Sequence, residues 1–295
     1  MASKANGVDV SGWARAPPKA EPFCVRFAKA IYDPGEHTFL GRTAKRWGIV
    51  LAFYFVFYAV LALLSGVCFL GLVYNLPPDR PYFTLQQSLI GGSPGVACRP
   101  RSEASDTIIR YNVDNSSHLQ HYTEQLDDFL APYQNVSWLP PAEACSPADN
   151  YGFPYSPCFY IKVNKIMDWM PEFYDDVTSL PADMPEDLQE HIKTVDPIKR
   201  HQVWISCLAE SNSSRVQFPG ARGLPAALYP YTNTHGYLSP LVPVQITPTV
   251  NQLVAVRCWA WAKNIRRDKS LKEPHGYTRI LIYIEDHSQD QKQQQ

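Results

Sequence analysis

Hydrophobic and polar positions divide this chain into three parts. From Ile49 to Tyr74 it reads IVLAFYFVFYAVLALLSGVCFLGLVY, without one charged residue. As a helix the run is roughly 39 Å long, against about 30 Å of bilayer hydrocarbon. This predicts a transmembrane helix over 48–75, with 1–47 as a tail on one side. Residues 1–38 read as a polar arm without a core. After the span, Pro77, Pro78, Pro81, Gly91, Gly92, Pro94 and Gly95 mark 76–105 as a stalk. A helical stripe follows, with Leu119, Tyr122, Leu126, Phe129, Leu130 and Tyr133 on one face of a helix over 117–133. Asn115, Ser116 and Ser117 offer N-cap oxygens.

Beyond that helix the pattern changes to strands. FYIKV (159–163), VWISC (203–207), VPVQI (242–246), LVAVRCWAWA (253–262) and RILIYIE (279–285) are β-branched or aromatic runs separated by Pro or Gly. The expectation is a mainly β domain over 106–287, an antiparallel immunoglobulin-like sandwich with one α-helix. The polar SQDQKQQQ end, 288–295, reads as a disordered tail.

Charge at the flanks sets the orientation. Arg42, Lys45 and Arg46 precede the span closely, with Lys29, Arg26, Lys19 and Arg15 further back, whereas Asp79 and Arg80 cancel after it. Basic flanks stay cytoplasmic, so this is a single-pass type II protein with an uncleaved signal anchor. The glycosylation triplet N-x-S/T occurs at Asn115, Asn135 and Asn212, all after the span. Five of the seven cysteines also follow it, where an oxidising compartment permits disulfides.

Composition narrows the function classes. Formal net charge is −1, so no basic surplus points to nucleic acid. With 26 prolines, and 17 tyrosines against 13 phenylalanines, the chain suits short strands and turns better than a helical bundle. No G-x-S-x-G, H-E-x-x-H, P-loop or dinucleotide fingerprint is present, and no D-x-D pair for a metal-bound sugar nucleotide. No cofactor is implied. His118, His121 and Glu124 share a helix face, a spacing that could hold zinc, but nothing else completes such a site; a polar helix flank is the simpler reading.

Five cysteines outside the membrane permit fifteen arrangements of two bridges and one free thiol. Locality favours Cys145–Cys158, and Cys207 and Cys258 each sit at a strand-like run, as an inter-strand staple would. Cys98, in the stalk, is the odd one, free or paired with another chain. Cys24 and Cys68 are expected reduced.

The membrane helix is not uniformly apolar. Tyr54, Tyr58, Ala62, Ser65 and Gly66 follow at three- and four-residue steps and share a face. An interfacial aromatic belt explains Tyr54, but Tyr58 lies roughly 14 Å in, near the midplane, where its hydroxyl needs a partner. Ala62 and Gly66 allow another helix to approach. The face therefore reads as a contact for a helix of another chain, with self-association as a competitor.

The segments FLGRT (39–43) and FYFVFY (53–58) resemble the β subunit of Na+/K+- and H+/K+-ATPase pumps. YGFPYSPCFYIKVNKI (151–166), YPYTNTHGYLSPLVPVQIT (229–247), CWAWAKNI (258–265) and the last strand extend the similarity, in order, over roughly 38–285. The resemblance implies a non-catalytic subunit that binds a catalytic α subunit and supports its folding, its delivery to the plasma membrane and its K+ handling, with Na+/K+ favoured over H+/K+. It leaves room for a small single-span regulator beside the bilayer as a further partner. It places Tyr54 and Tyr58 against a helix of α, and Tyr229, Pro230 and Tyr231 opposite an extracellular loop of α. It matches Cys145–Cys158 and Cys207–Cys258 to the second and third disulfides of the family. The first pair falls in a segment this chain lacks, between the helix and Cys145. The rival readings are a cell-adhesion glycoprotein and a lumenal type II enzyme.

Overall fold

The computed structural model describes residues 22–89, 91–102, 106–139, 143–211, 214–268 and 275–287. The chain divides into two units, Met1–Leu76 and Pro77–Gln295.

The first unit opens on α1 (Phe23–Ile31), inside the stretch that reads as a polar arm. Phe23, Phe27 and Ile31 recur at four-residue steps and give this short helix an apolar face. Three two-residue strands follow in antiparallel order: β1 (Tyr32–Asp33), β2 (Thr38–Phe39) and β3 (Arg42–Thr43). Leu40 and Gly41 link β2 to β3 with φ of 50° and 71°. Two positive φ values in a two-residue loop are the pattern of a type I′ hairpin, which explains a glycine in FLGRT. Next comes α2 (Ala44–Asn75), 32 residues with none buried. It is long and apolar enough to cross a membrane. At its start the Trp47 indole N–H donates to the Phe39 carbonyl (2.8 Å), and the Arg42 guanidinium sits 5.9 Å from the indole ring.

The second unit contains β4 (Val96–Arg99), β5 (Ile109–Asn112), α3 (Ser116–Leu130), β6 (Cys158–Val163), α4 (Glu186–Thr194), β7 (Gln202–Ala209), β8 (Arg215–Gln217), β9 (Gly223–Pro225), β10 (Val242–Thr247), β11 (Leu253–Trp261) and β12 (Tyr277–Glu285). One sheet has the order β4-β6-β10-β8, the other β5-β12-β11-β7-β9. Along β11, Val254, Val256, Cys258 and Ala260 are buried, while Ala255, Arg257 and Trp259 between them are half-buried. Both sheets supply one core, including Phe159, Ile161, Val244 and Ile246 from the first and Val203, Val256, Ile280 and Ile282 from the second.

Three features depart from the expectation. Val96–Arg99, within the supposed stalk, pairs with β6; prolines and glycines on both sides conceal a four-residue strand. Strand pairing is not wholly antiparallel, because β5 runs parallel to β12. The β unit holds a second helix, α4, whose only buried residues, Leu188 and Ile192, make too short a stripe to stand out. Pro185 before it, acidic Glu186 and Asp187 in its first turn, and His191 and Lys193 in its last suit its two ends. It packs on the outer face of the second sheet, joining Met184, Trp204 and Trp261 in a smaller core. That cover explains why Val203–Cys207 is buried without alternation.

Helix α3 starts where Asn115 Oδ1 accepts from the Ser117 N–H (3.1 Å). It buries Tyr122 and Leu126, and its last expected turn, Ala131–Tyr133, is a 3-10 helix with Pro132 as its second residue. Disulfides join Cys145 to Cys158 and Cys207 to Cys258. The second pair sits directly opposite across β7 and β11. Residues 288–295 and Asn212 lie outside the described residues.

Candidate assembly surfaces

On α2 the rings of Tyr54 and Tyr58 stack along one face, with centroids 6.1 Å apart and planes at 26°. Phe53 and Phe57 form a parallel second row at 6.2 Å. Both tyrosines are exposed, at 49% and 60%. Gly66 has nothing within 4 Å of where a Cβ would stand, so the small end of the stripe with Ala62 is open to a neighbour.

The second surface is built around Tyr229–Tyr231, joined at a cis Tyr229–Pro230 bond. The two tyrosines point to different surroundings. Tyr229 packs edge-on against buried Trp169 (5.5 Å) and its hydroxyl meets no hydrogen-bond partner, so burial drives its pKa far above the ordinary tyrosine value. Tyr231 faces outward and clusters with Tyr237 (4.9 Å between centroids). The Lys165 ammonium lies 5.0 Å from both ring centres, a cation held between two aromatic faces. Backbone pairing fixes the loop: the Asp168 N–H donates to the Tyr231 carbonyl (2.9 Å). The Tyr231 hydroxyl donates to Asn233 Oδ1 (2.8 Å), and the Asn233 amide donates to the Asp79 carbonyl (3.1 Å). The loop 232–236 is exposed. Lys165, Tyr237 and Asn233 were not singled out from the sequence. A lysine and an aromatic on each side of a proline-rich turn carry no spacing rule that would reveal the cluster.

The remaining candidates are dispersed. Asn115 serves as the α3 cap and Asn135 stands exposed in a turn. His121 shares a hydrogen bond with Gln125 (2.9 Å), and Glu124 accepts from Gln120 (2.7 Å). No group of three potential metal ligands occurs among the described residues. Cys98 is half-buried in β4 opposite Ile161, with Thr278 Oγ1 at 3.9 Å. Burial raises its thiol pKa, which suppresses the thiolate needed for disulfide exchange. A cleft of about 1100 Å³ beside Cys145 is lined by Asp127, Asp128 and Glu143. There Asp127 is tied to Tyr151 by a 2.6 Å hydrogen bond, a structural use of the carboxylate.

Comparison with known proteins then decides the family. A profile described as sodium / potassium ATPase beta chain matches residues 18–139 and 135–280. The chain belongs to the Na+/K+-ATPase β-subunit family. It is 35% identical to sodium/potassium-transporting ATPase subunit beta-1 of Drosophila melanogaster, over 96% of this chain and 100% of the relative. Subunit beta-2 of the same organism is 34% identical over 90% and 94%. Human subunit beta-2 is 24% identical over 81% and 87%. As a β subunit the chain is non-catalytic.

Proposed function

We propose that this chain, a non-catalytic β subunit of the Na+/K+-transporting P-type ATPase, holds its catalytic α subunit through two surfaces. One is the Tyr54, Tyr58, Ala62 and Gly66 stripe in the membrane. The other is the cluster around Tyr229, Pro230 and Tyr231 outside. The stacked tyrosine pair carries the reading: two phenol hydroxyls on an uncovered apolar helix need a partner when immersed in hydrocarbon. A helix of the α subunit supplies acceptors and apolar area at once, and the small residues let it come close.

Through these contacts the β subunit supports folding of α, its delivery to the plasma membrane and its K+ affinity. The tail lies in the cytoplasm, and the glycosylated, disulfide-bonded part outside, with sugars at Asn115, Asn135 and Asn212. Two sheets on a common core support a sandwich of immunoglobulin-like character, modified by the parallel β5–β12 pair and by α4.

Affinity purification of the full chain from native membranes tests the reading. Recovery of a large multi-span ATPase is the expected result; recovery of self-associated β alone opposes it. The double variant Tyr54→Ala, Tyr58→Ala separates the two surfaces. It weakens assembly or shifts K+ activation if the stripe is a contact, and leaves both unchanged if it only anchors the chain.

A further inference from the structure

We propose that α1 is an interfacial helix that lies on the cytoplasmic leaflet, its aromatic face in the headgroup–acyl boundary and its basic surroundings on anionic phospholipid. This contact is distinct from the membrane crossing by α2.

The apolar face is exposed within its own unit. Phe23 is 75% exposed and Phe27 59%, and their rings stack at 6.3 Å. A nine-residue helix standing free in water gains little from such a face, since short isolated helices are marginal. An interface that buries the face stabilises helix and docking together.

The fold also fixes where the helix can be. The three-stranded turn is a tether, because Tyr32 pairs with Phe39, and Phe39 with Arg42, the residue two before α2. The Leu40 N–H donates to the Ile31 carbonyl (2.8 Å), binding the end of α1 to the hairpin. Two strand spacings, about 10 Å, thus separate the end of α1 from the chain entering the span. The Trp47 indole, hydrogen-bonded to Phe39, marks the headgroup level at which this tether sits. A helix only about 13 Å long, held that close, cannot leave the surface of the bilayer.

Charge selects the lipid. Arg42, Lys45 and Arg46 cluster at the tether. An inner leaflet rich in anionic headgroups attracts such a group within a Debye length. The exposed Leu40 at the hairpin tip extends the apolar surface toward the acyl boundary.

Photo-crosslinking in the intact α–β complex tests this. Phe27 is replaced by p-benzoylphenylalanine, and the complex is reconstituted in phosphatidylcholine vesicles with or without phosphatidylserine. After irradiation, the adduct on the residue-27 peptide is identified by mass. Phospholipid adducts are expected, in higher yield with phosphatidylserine, with that gain lost in Lys45→Gln, Arg46→Gln. The same probe at Lys29, on the opposite side of α1, loses the lipid adducts. Crosslinking of position 27 to the α subunit, or no adduct at all, overturns the proposal. Equal lipid yield from both vesicles overturns the anionic selectivity.

Discussion

The side-chain amide of Asn233 donates to the backbone carbonyl of Asp79, 3.1 Å away. Asp79 is the third residue of the outer unit, so the aromatic cluster is pinned to the point where the chain enters that unit. Asn233 holds a φ of 57°, which asparagine tolerates better than most residues. Asn233→Ala is expected to lose about 1 kcal/mol from the hydrogen bond, plus strain at the positive φ. Asn233→Gly loses the bond without the strain and falls between. Urea midpoints of the three full-length proteins check the order.

The cluster itself has a separate test. Tyr231→Ala takes one of the two faces from Lys165 and opens the outward patch. Lys165→Gln removes the charge and leaves the rings. If the patch contacts α, each weakens co-purification of α or shifts the K+ concentration for half-activation. A change in urea midpoint alone, with unaltered assembly and K+ activation, assigns these residues to internal packing.

For the membrane stripe the informative comparison is between ring and hydroxyl. Tyr58→Phe keeps the stacking area and removes one hydrogen bond, worth about 0.6 kcal/mol between membrane helices. Tyr58→Ala removes both and is expected to weaken assembly much further. Detergent resistance of the α–β complex measures the two steps. Equal behaviour of the three proteins rejects the stripe as a contact.

The disulfides are expected to rank by the chain length they close. Cys207 and Cys258 are 51 residues apart, and Cys145 and Cys158 are 13 apart. Chain-entropy reasoning gives about 4 kcal/mol for the longer loop and about 3 for the shorter. Paired Cys→Ala variants, compared by urea midpoint, check the ranking. Both pairs are buried in the shared core, so the loss of packing is common to the two variants and leaves the order to the loop lengths.

Acid sensitivity has a definite direction at His191. Burial, then the nearby Arg222 guanidinium, holds its pKa below the ordinary 6.5, with Asp187 opposing. Its ring packs edge-on against Trp204. The unfolded chain therefore takes up a proton near pH 6.5 before the folded one does, and stability falls as pH drops through that window. His191→Gln flattens the dependence there. The lowered carboxyls of Asp175 and Asp176 contribute stability above 3.8 that is lost only on further acidification. Tm measured against pH for both proteins separates the two ranges.

Long apolar or alternating segments were legible in the sequence. The span is one unbroken apolar run, α3 repeats a helical period, and the five long strands are β-branched or aromatic runs set off by Pro or Gly. What escaped was short or held by distant partners. Val96–Arg99 is a strand only because β6 lies beside it, and Ile109–Asn112 only because β12 does. Helix α4 rests on two leucine-like contacts, Leu188 and Ile192, against tryptophans from other strands. In the candidate surfaces, tyrosine spacing along one helix exposed the membrane stripe. The Lys165–Tyr231–Tyr237 cluster joins residues from separate loops, and no local pattern encodes it.

The parallel pairing of Ile109 with Ile282 also bears on how the molecule is made. Strand β5 emerges early in synthesis, yet its neighbour in the sheet, β12, is the last strand among the described residues. Both β5 and one edge of β11 must wait unpaired until β12 has been made. A premature stop just before β12 would expose an open edge on both β5 and β11. Insertion of β12 between β5 and β11 is therefore the step that joins the earliest strand of this sheet to the rest of it.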